Sequence, residues 1–349
     1  MKRGVKLKFF LGIVSSAFFL ALALRNVSFA ELFKALAQAN YFFLIPSLIL
    51  TFLVYGCRAI RWHYMLIPIK PVKISRLFNI TVIGFMVNNI LPIRIGELAR
   101  AYILGKRESL SKSLAFATII IERLLDGLTI LSFLIPIVLL FSFPRWLKQT
   151  GIVFLILYLG VIVFLFLLNF FSQKLIQIFE KLIAPFSPWF AKRFGRMLMS
   201  FCEGLKIFKT KKQVFWICCF SYFIWVGYSL ILMVFLYAFH INVPFYAPFL
   251  LLVIMATGVA IPSSPGFIGT LQFFCVTGLA LFGVPKSEAL GFSIVFHASQ
   301  YIPVTLLGFF FMGKEHLHFK EIAVTQEEEF NNKAGSVKGK AQGVKFGDC

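Results

Sequence analysis

Apolar residues run along this chain in long, almost unbroken stretches separated by short basic segments. Stretches at about 7–24, 41–57, 114–143, 151–171, 214–239 and 289–312 each read as a membrane span. Eighteen helical residues reach about 27 Å, close to the thickness of a bilayer core. Two further apolar stretches are broken. The first ends in NNILPIRIGELAR, Asn88–Arg100, with Pro92 and Gly96 as breaks; the second contains AIPSSPGFIGTLQ at 260–272, with Pro262, Pro265, Gly266 and Gly269. Pro92-x-x-x-Gly96 recurs as Pro265-x-x-x-Gly269, and Glu97 has a near counterpart in Gln272. Inside a bilayer, broken backbone survives only where protein or a water-filled cavity satisfies its freed N–H and C=O groups. Two broken segments at matching places in two halves point to the binding site of a transporter.

The placement of charge decides how these stretches sit. Arg58, Arg61, Lys70, Lys73 and Arg76 follow the second span and mark that loop as cytoplasmic; Arg94, Arg100, Lys106, Arg107 and Lys112 follow the first broken stretch. If residues 77–93 crossed, two strongly basic loops would lie on opposite faces, against the positive-inside bias. The conflict disappears if residues 77–110 enter from the cytoplasm, break at Pro92 and return. An ordinary span with an exceptional loop is the alternative. By analogy, 249–283 enters from the outside and returns.

Lys2, Arg3, Lys6 and Lys8 put the N-terminus in the cytoplasm, and Lys314 does the same for the end of the last span. Ser28-Phe29-Ala30 is a passable signal-peptide cleavage site, but the preceding run is long for that and many spans follow, so it is read as an uncleaved helix. Residues 25–40 read as an interfacial helix on the outer face. Residues 172–213 read as a basic amphipathic segment on the inner leaflet. The expected fold is therefore an all-α integral membrane protein: about six full spans plus two re-entrant hairpins, eight apolar segments in all. They are arranged as a four-plus-four inverted repeat, with one repeat over about 1–150 and the other over 151–312. The tail, 313–349, is polar and expected to be disordered.

Composition narrows the class. With 59% hydrophobic residues, 45 of them Phe, and 14% charged, a soluble fold is excluded. The net charge of +21 then belongs to loops facing anionic headgroups, and nucleic acid is not an expected partner. Six cysteines, mostly in or beside apolar spans, give no disulfide framework. No Cys/His spacing resembles a metal site, and no cofactor is expected.

The candidate chemistry lies in the polar residues of the apolar stretches. The first hairpin offers Asn88, Asn89, Arg94, Glu97 and Arg100. The span after it carries ERLLD, in which Glu122 and Asp126 share a helix face beside Arg123. The second hairpin offers Ser263, Ser264 and Gln272, and the last span His297 and Gln300. Guanidinium forks suit a phosphate, and the carboxylates would keep them oriented. Such a set would hold a lipid phosphate headgroup within the membrane. The plainer alternative is a set of internal pairs that lock helices, with Arg94, Glu97 and Arg100 as a ladder along one helix. Intramembrane charge is nonetheless functional by default. An enzyme would use Glu122 and Asp126 as an acid/base pair with His297 as a relay, yet no nucleotide loop, metal cluster or Ser/His/Asp order accompanies them.

N-x-L-P-x-R-x-G-E-x-x-R at 89–100, E-R-x-x-D at 122–126, and I-P-x-x-P-G-x-x-G at 261–269 followed by Gly283-Val284 resemble one family. It is the lysylphosphatidylglycerol synthase transmembrane region family, the flippase-like membrane half of MprF-type proteins. The resemblance covers roughly residues 7–312. It implies a membrane region that moves a lipid between leaflets, here without the soluble aminoacyl-transferase domain. Gln272 stands where the family suggests an acidic residue and His297 where it suggests an arginine, so the headgroup does not carry over. The expected function is a flippase-like transporter of a phospholipid or polyprenyl-linked lipid in a bacterial-type inner membrane. A membrane-embedded enzyme or accessory subunit of lipid or glycolipid synthesis is the alternative. Expected partners are membrane lipids, with a lipid-synthesis enzyme or a second copy of the chain as protein partners.

Overall fold

The computed structural model describes residues 3–91, 95–141, 145–185, 210–261 and 263–315, with isolated positions at 187–189, 195, 199 and 317. Eleven α-helices make up the described fold: α1 Arg3–Leu24, α2 Phe29–Gln38, α3 Leu44–Leu66, α4 Ile74–Ile90, α5 Gly96–Glu108, α6 Lys112–Leu140, α7 Arg145–Ile183, α8 Lys211–Ala238, α9 Ala247–Ala260, α10 Thr270–Ala280 and α11 Lys286–Lys314. The segments over Tyr41–Leu66, Lys112–Leu140, Lys211–Ala238 and Lys286–Lys314 are long and apolar enough to cross a membrane. The chain is a multi-pass integral membrane protein.

The six expected spans are redistributed. α1 and α2 form a bent pair, turning through 88°, so α2 lies across the end of α1 as an interfacial helix would. Ser28 caps α2, and the Lys286 ammonium donates to the Leu22 carbonyl near the end of α1 and to the Arg25 carbonyl just after it. The span expected over 151–171 lies within α7 and is helical throughout up to Phe171. α7 loses helical geometry at Phe171 (φ −121°, ψ 26°), where that span was expected to end. Most of the basic segment 172–213 beyond α7, and the tail from 318, lie outside the described residues.

The second span differs most. It does not stop at Cys57 but runs to Leu66, so Arg58 and Arg61 are inside a helix rather than in a cytoplasmic loop. Trp62, Met65 and Leu66 continue the buried face beyond the two arginines, and this apolar continuation keeps the helix going.

Both broken stretches fold into antiparallel helical hairpins. α4 ends with Leu91 extended (φ −105°, ψ 141°), directly before Pro92 in sequence; α9 ends with Ile261 extended (φ −71°, ψ 131°), directly before Pro262. A residue preceding proline is pushed out of the helical region, so each proline sets the end of its helix. Pro92, Arg94 and Pro262 themselves lie outside the described residues. At the open end of the first hairpin, Arg76 of α4 pairs with Glu108 at the end of α5, and Lys70 donates to the Glu108 carbonyl at 2.6 Å. At the open end of the second, Tyr246 meets Phe282 with ring centroids 6.0 Å apart.

The hairpins enter from opposite ends of α11. The first opens beside the C-terminus of α11, where Asn79 donates to Glu315 at 3.2 Å. The second opens at the N-terminus of α11, which follows α10 after a short turn. Their tips meet midway along α11, at Tyr301. Its hydroxyl donates to the Asn89 carbonyl at 3.2 Å, and its ring lies against Gly266. α11 is about 43 Å long, so its centre is about 20 Å from either end. The packing is also reciprocal: α4 lies on α11 and α9 on α6, while α5 packs on α6 and α10 on α11, with α3 against α8 between the halves.

Candidate functional site

Within this frame, α3, α5 and α6 bring four guanidinium groups to one place. Glu122 of α6 is fully buried. Arg100 of α5 donates to it in a fork, Nη2 to Oε2 at 2.8 Å and Nη1 to Oε1 at 3.2 Å. Arg123 donates to Oε1 at 2.7 Å, and Arg58 of α3 does so at 3.4 Å. Asp126, one turn further on α6, accepts from Arg61 at 2.7 Å, from Arg58 at 3.3 Å and from the Trp225 indole of α8 at 3.1 Å. Ser221 of α8 accepts from Arg61 at 3.0 Å. Glu122 and Asp126 do share one face, and that face is turned to arginines on two other helices.

Aromatic rings wall the cluster. Arg100 lies over Trp62 at 4.2 Å from the ring centre, and Arg58 lies between Phe85 at 5.3 Å and Tyr228 at 5.4 Å. Face-on rings favour a cation where water is excluded. The close approach of the first hairpin's two helices makes room for Arg100. At Gly96 a Cβ would sit 1.9 Å from the Gly84 carbonyl, and at Gly84 it would meet the Arg100 stem at 2.4 Å. The first turn of α5 is held by Asn88, whose side-chain oxygen accepts from the Gly96 N–H at 2.7 Å.

The charges do not balance. Among the described residues, Arg58, Arg61, Arg100 and Arg123 face Glu122 and Asp126, four cations against two anions, a formal surplus of two. Glu97, at the start of α5, acts on Arg123 electrostatically and brings the surplus to one. Donor capacity is also left over. Among the described residues, the Nε atoms of Arg61, Arg100 and Arg123 are buried without hydrogen-bond partners, and so is Oε2 of Glu97. Arg61 Nη2 is 3.4 Å from Glu122, an ion pair by distance but not a well-aligned hydrogen bond. Arg123 is the most open of the four, its side chain 32% exposed where the others are nearly sealed.

Several expectations are revised here. Arg100 does not close a ladder with Glu97; its partner is Glu122, 22 positions away. Arg58 and Arg61 are central to the cluster although the sequence reading set them in a loop. The missed signal is their spacing with Trp62, which keeps all three on one side of α3. Gln272 and His297 do not join the charges but form a separate pair at the second hairpin, 2.9 Å apart. Asn89 lies between the two groups, donating to Thr305 of α11 at 2.8 Å. Ser264 bonds to Ser16 of α1 at 2.7 Å, whereas the buried Ser263 hydroxyl has no partner among the described residues. Gln300 accepts from Thr51 of α3 at 3.0 Å. Pro265 and Gly266 form a single 3-10 turn, and Gly269 precedes α10 with φ +89°. A groove of about 400 Å3 near Tyr237, Asn242 and Phe245 lies at the far end of α8 and touches none of these residues.

The chain is similar to several known membrane proteins. A UPF0104 membrane protein of Methanocaldococcus jannaschii is 25% identical over 315 residues, covering 86% of this chain and 92% of its own length. A UPF0104 membrane protein of Methanothermobacter thermautotrophicus is 34% identical over 127 residues, 33% of this chain and 36% of that one. A second Methanocaldococcus jannaschii UPF0104 membrane protein is 25% identical over 233 residues, 64% of this chain and 91% of its own. No solved structure matches. Residues 9–308, nearly the whole described fold, match the lysylphosphatidylglycerol synthase TM region, and the chain belongs to that family.

Proposed function

We propose that this protein is a flippase-like transporter that moves a phospholipid or polyprenyl-linked lipid between leaflets, holding the lipid phosphate at the Arg58–Arg61–Arg100–Arg123 cluster. The surplus of buried guanidinium over carboxylate carries this reading. A cluster serving only to lock helices together would be favoured by balanced charge, since an uncompensated buried cation is costly. A phosphate would bring the missing negative charge and use the spare donors. Arg123 is the natural first contact because it is the most exposed of the four. Membership in a family named for a lipid synthase's membrane region agrees with a lipid-related role.

The opposed hairpins and reciprocal packing support an inverted repeat, in which either half rocks against the other to open the site to alternate sides. The described cations are also lopsided. Among others, Lys70, Lys73, Arg76, Lys106, Arg107, Lys112, Lys174, Lys181, Lys211, Lys212 and Lys314 lie at the end where the first hairpin opens, against Arg25, Lys34, Lys286 and the start of α7 with Arg145 and Lys148 at the other. By the positive-inside bias that first end faces the cytoplasm of the inner membrane, with both termini on that side.

Reconstitution tests the reading. Liposomes containing phosphatidylglycerol, and others containing a polyprenyl phosphate, are assayed for headgroups that become accessible from outside. The intact protein is expected to accelerate exposure of at least one of them. Arg123→Gln is expected to slow it by roughly 10- to 100-fold, the loss of one or more hydrogen bonds to a charged group. Chemical conversion without translocation would support an enzyme instead, and the absence of both would overturn the proposal.

A further inference from the structure

The second hairpin contains a relay that the lipid reading does not use. The Gly269 N–H donates to Gln272 Oε1 at 2.7 Å, holding the start of α10. A backbone N–H can only donate, so it selects the oxygen of the Gln272 amide. The amide nitrogen is then turned to His297 Nδ1, 2.9 Å away. That nitrogen also only donates, so His297 Nδ1 must accept. The network therefore fixes the neutral tautomer of His297, with its proton on Nε2.

A proton added to His297 has one place to go, Nδ1. Both ring nitrogens then donate, and the ring and the Gln272 amide meet donor to donor. Turning the amide over restores the contact with His297 but presents NH2 to the Gly269 N–H, the same conflict one bond further on. Neutral His297 satisfies the whole relay and charged His297 breaks one link of it.

The link that breaks is structurally placed. Gly269 has φ +89°, and a Cβ there would sit 2.3 Å from the Ser16 carbonyl of α1. The Gly269 cap thus lies where the second hairpin seals against α1, beside the Ser16–Ser264 bond. We propose that His297 is a proton-binding site whose occupancy releases the Gly269 cap and loosens the tip of the second hairpin.

No neighbouring charge pre-empts this role among the described residues. Tyr301 meets the His297 ring edge-on at 5.8 Å, and the Gly266 backbone is its other polar contact. α10 offers only the buried Cys275. On α4, Arg76 is held by Glu108; on α3, Arg58 and Arg61 are held by Glu122 and Asp126; on α8, Tyr228 accepts from Arg58. Glu31 and Lys34 of α2 are exposed.

Hydrogen exchange on the purified full chain in detergent tests the proposal, with rates corrected for the intrinsic effect of pH. Between pH 8 and pH 5, protection of the amides at 269–273 is expected to fall roughly 3- to 10-fold, the loss of about one hydrogen bond. In His297→Gln, protection should not change with pH. In Gln272→Leu, it should be low at both. Unchanged wild-type protection would overturn the proposal, as would the same pH dependence in His297→Gln. The assay contains no lipid substrate, so its failure and the failure of the lipid reading are separate results.

Discussion

Replacing Glu122 by glutamine is expected to destabilise the protein by about 3–5 kcal/mol, the usual cost of removing one partner from a buried ion pair. Glu122 is fully buried and accepts from Arg100, Arg123 and Arg58, with Arg61 at ion-pair distance. Without it, Arg100 loses its carboxylate partner and Asp126 is left paired with Arg58, Arg61 and Arg123. The effect should appear as a large shift in denaturant unfolding of the detergent-solubilised protein. Glu97→Gln is the milder comparison, because Glu97 acts on the partly exposed Arg123 and its own side chain is only partly buried. It should change stability by less than about 1 kcal/mol. If the penalty reflects uncompensated cations, Arg100→Gln added to Glu122→Gln should recover part of it, as coupled sites do. Wild-type stability in Glu122→Gln would mean that the cluster is not held together by its carboxylates.

Gly96→Ala is expected to open the first hairpin. The new methyl would sit 1.9 Å from the Gly84 carbonyl and 2.6 Å from the Asn88 side-chain oxygen. The nearest obstacle is backbone, so no rotamer change relieves it. The cost belongs at or above the upper end of the roughly 1–3 kcal/mol typical of overpacking. The displacement also reaches the charges, because Arg100 lies one turn along α5 from Gly96 and its fork on Glu122 depends on that register. Gly56→Ala on α3 is the matched control: a Cβ there meets nothing within 4 Å, so the change should be within about 0.5 kcal/mol of neutral. Unfolding of both variants in detergent checks the contrast.

The two hairpins were legible because proline acts locally. Leu91 and Ile261 leave the helical region next to their prolines, which needs only the sequence neighbour. The return of the first stretch was legible because charge bias applies to whole loops, and the entry of the second from the other end followed only by analogy with it. Arg58 and Arg61 were misread for the same reason. An arginine after an apolar run reads as the end of a span, unless its partner is known to lie on another helix. That partner, Asp126, is 65 positions from Arg61, beyond the reach of any local pattern. The division of the polar residues into a charged cluster and a separate Gln272–His297 pair was illegible too. It depends on which helix each hairpin packs against, and residue types alone do not carry that.

Labelling from each side of the membrane tests the central claim, that two hairpins enter from opposite faces and meet at a site between them. Single cysteines replace Lys106, near the end of α5, and Pro285, just before α11, in a background lacking the six natural cysteines. An impermeant thiol reagent is applied to right-side-out and to inverted vesicles. Position 106 is expected to be modified only from the cytoplasmic side and position 285 only from the other. Modification of both from the same side, or of position 106 from outside, would contradict the opposed hairpins and the transport site built on them.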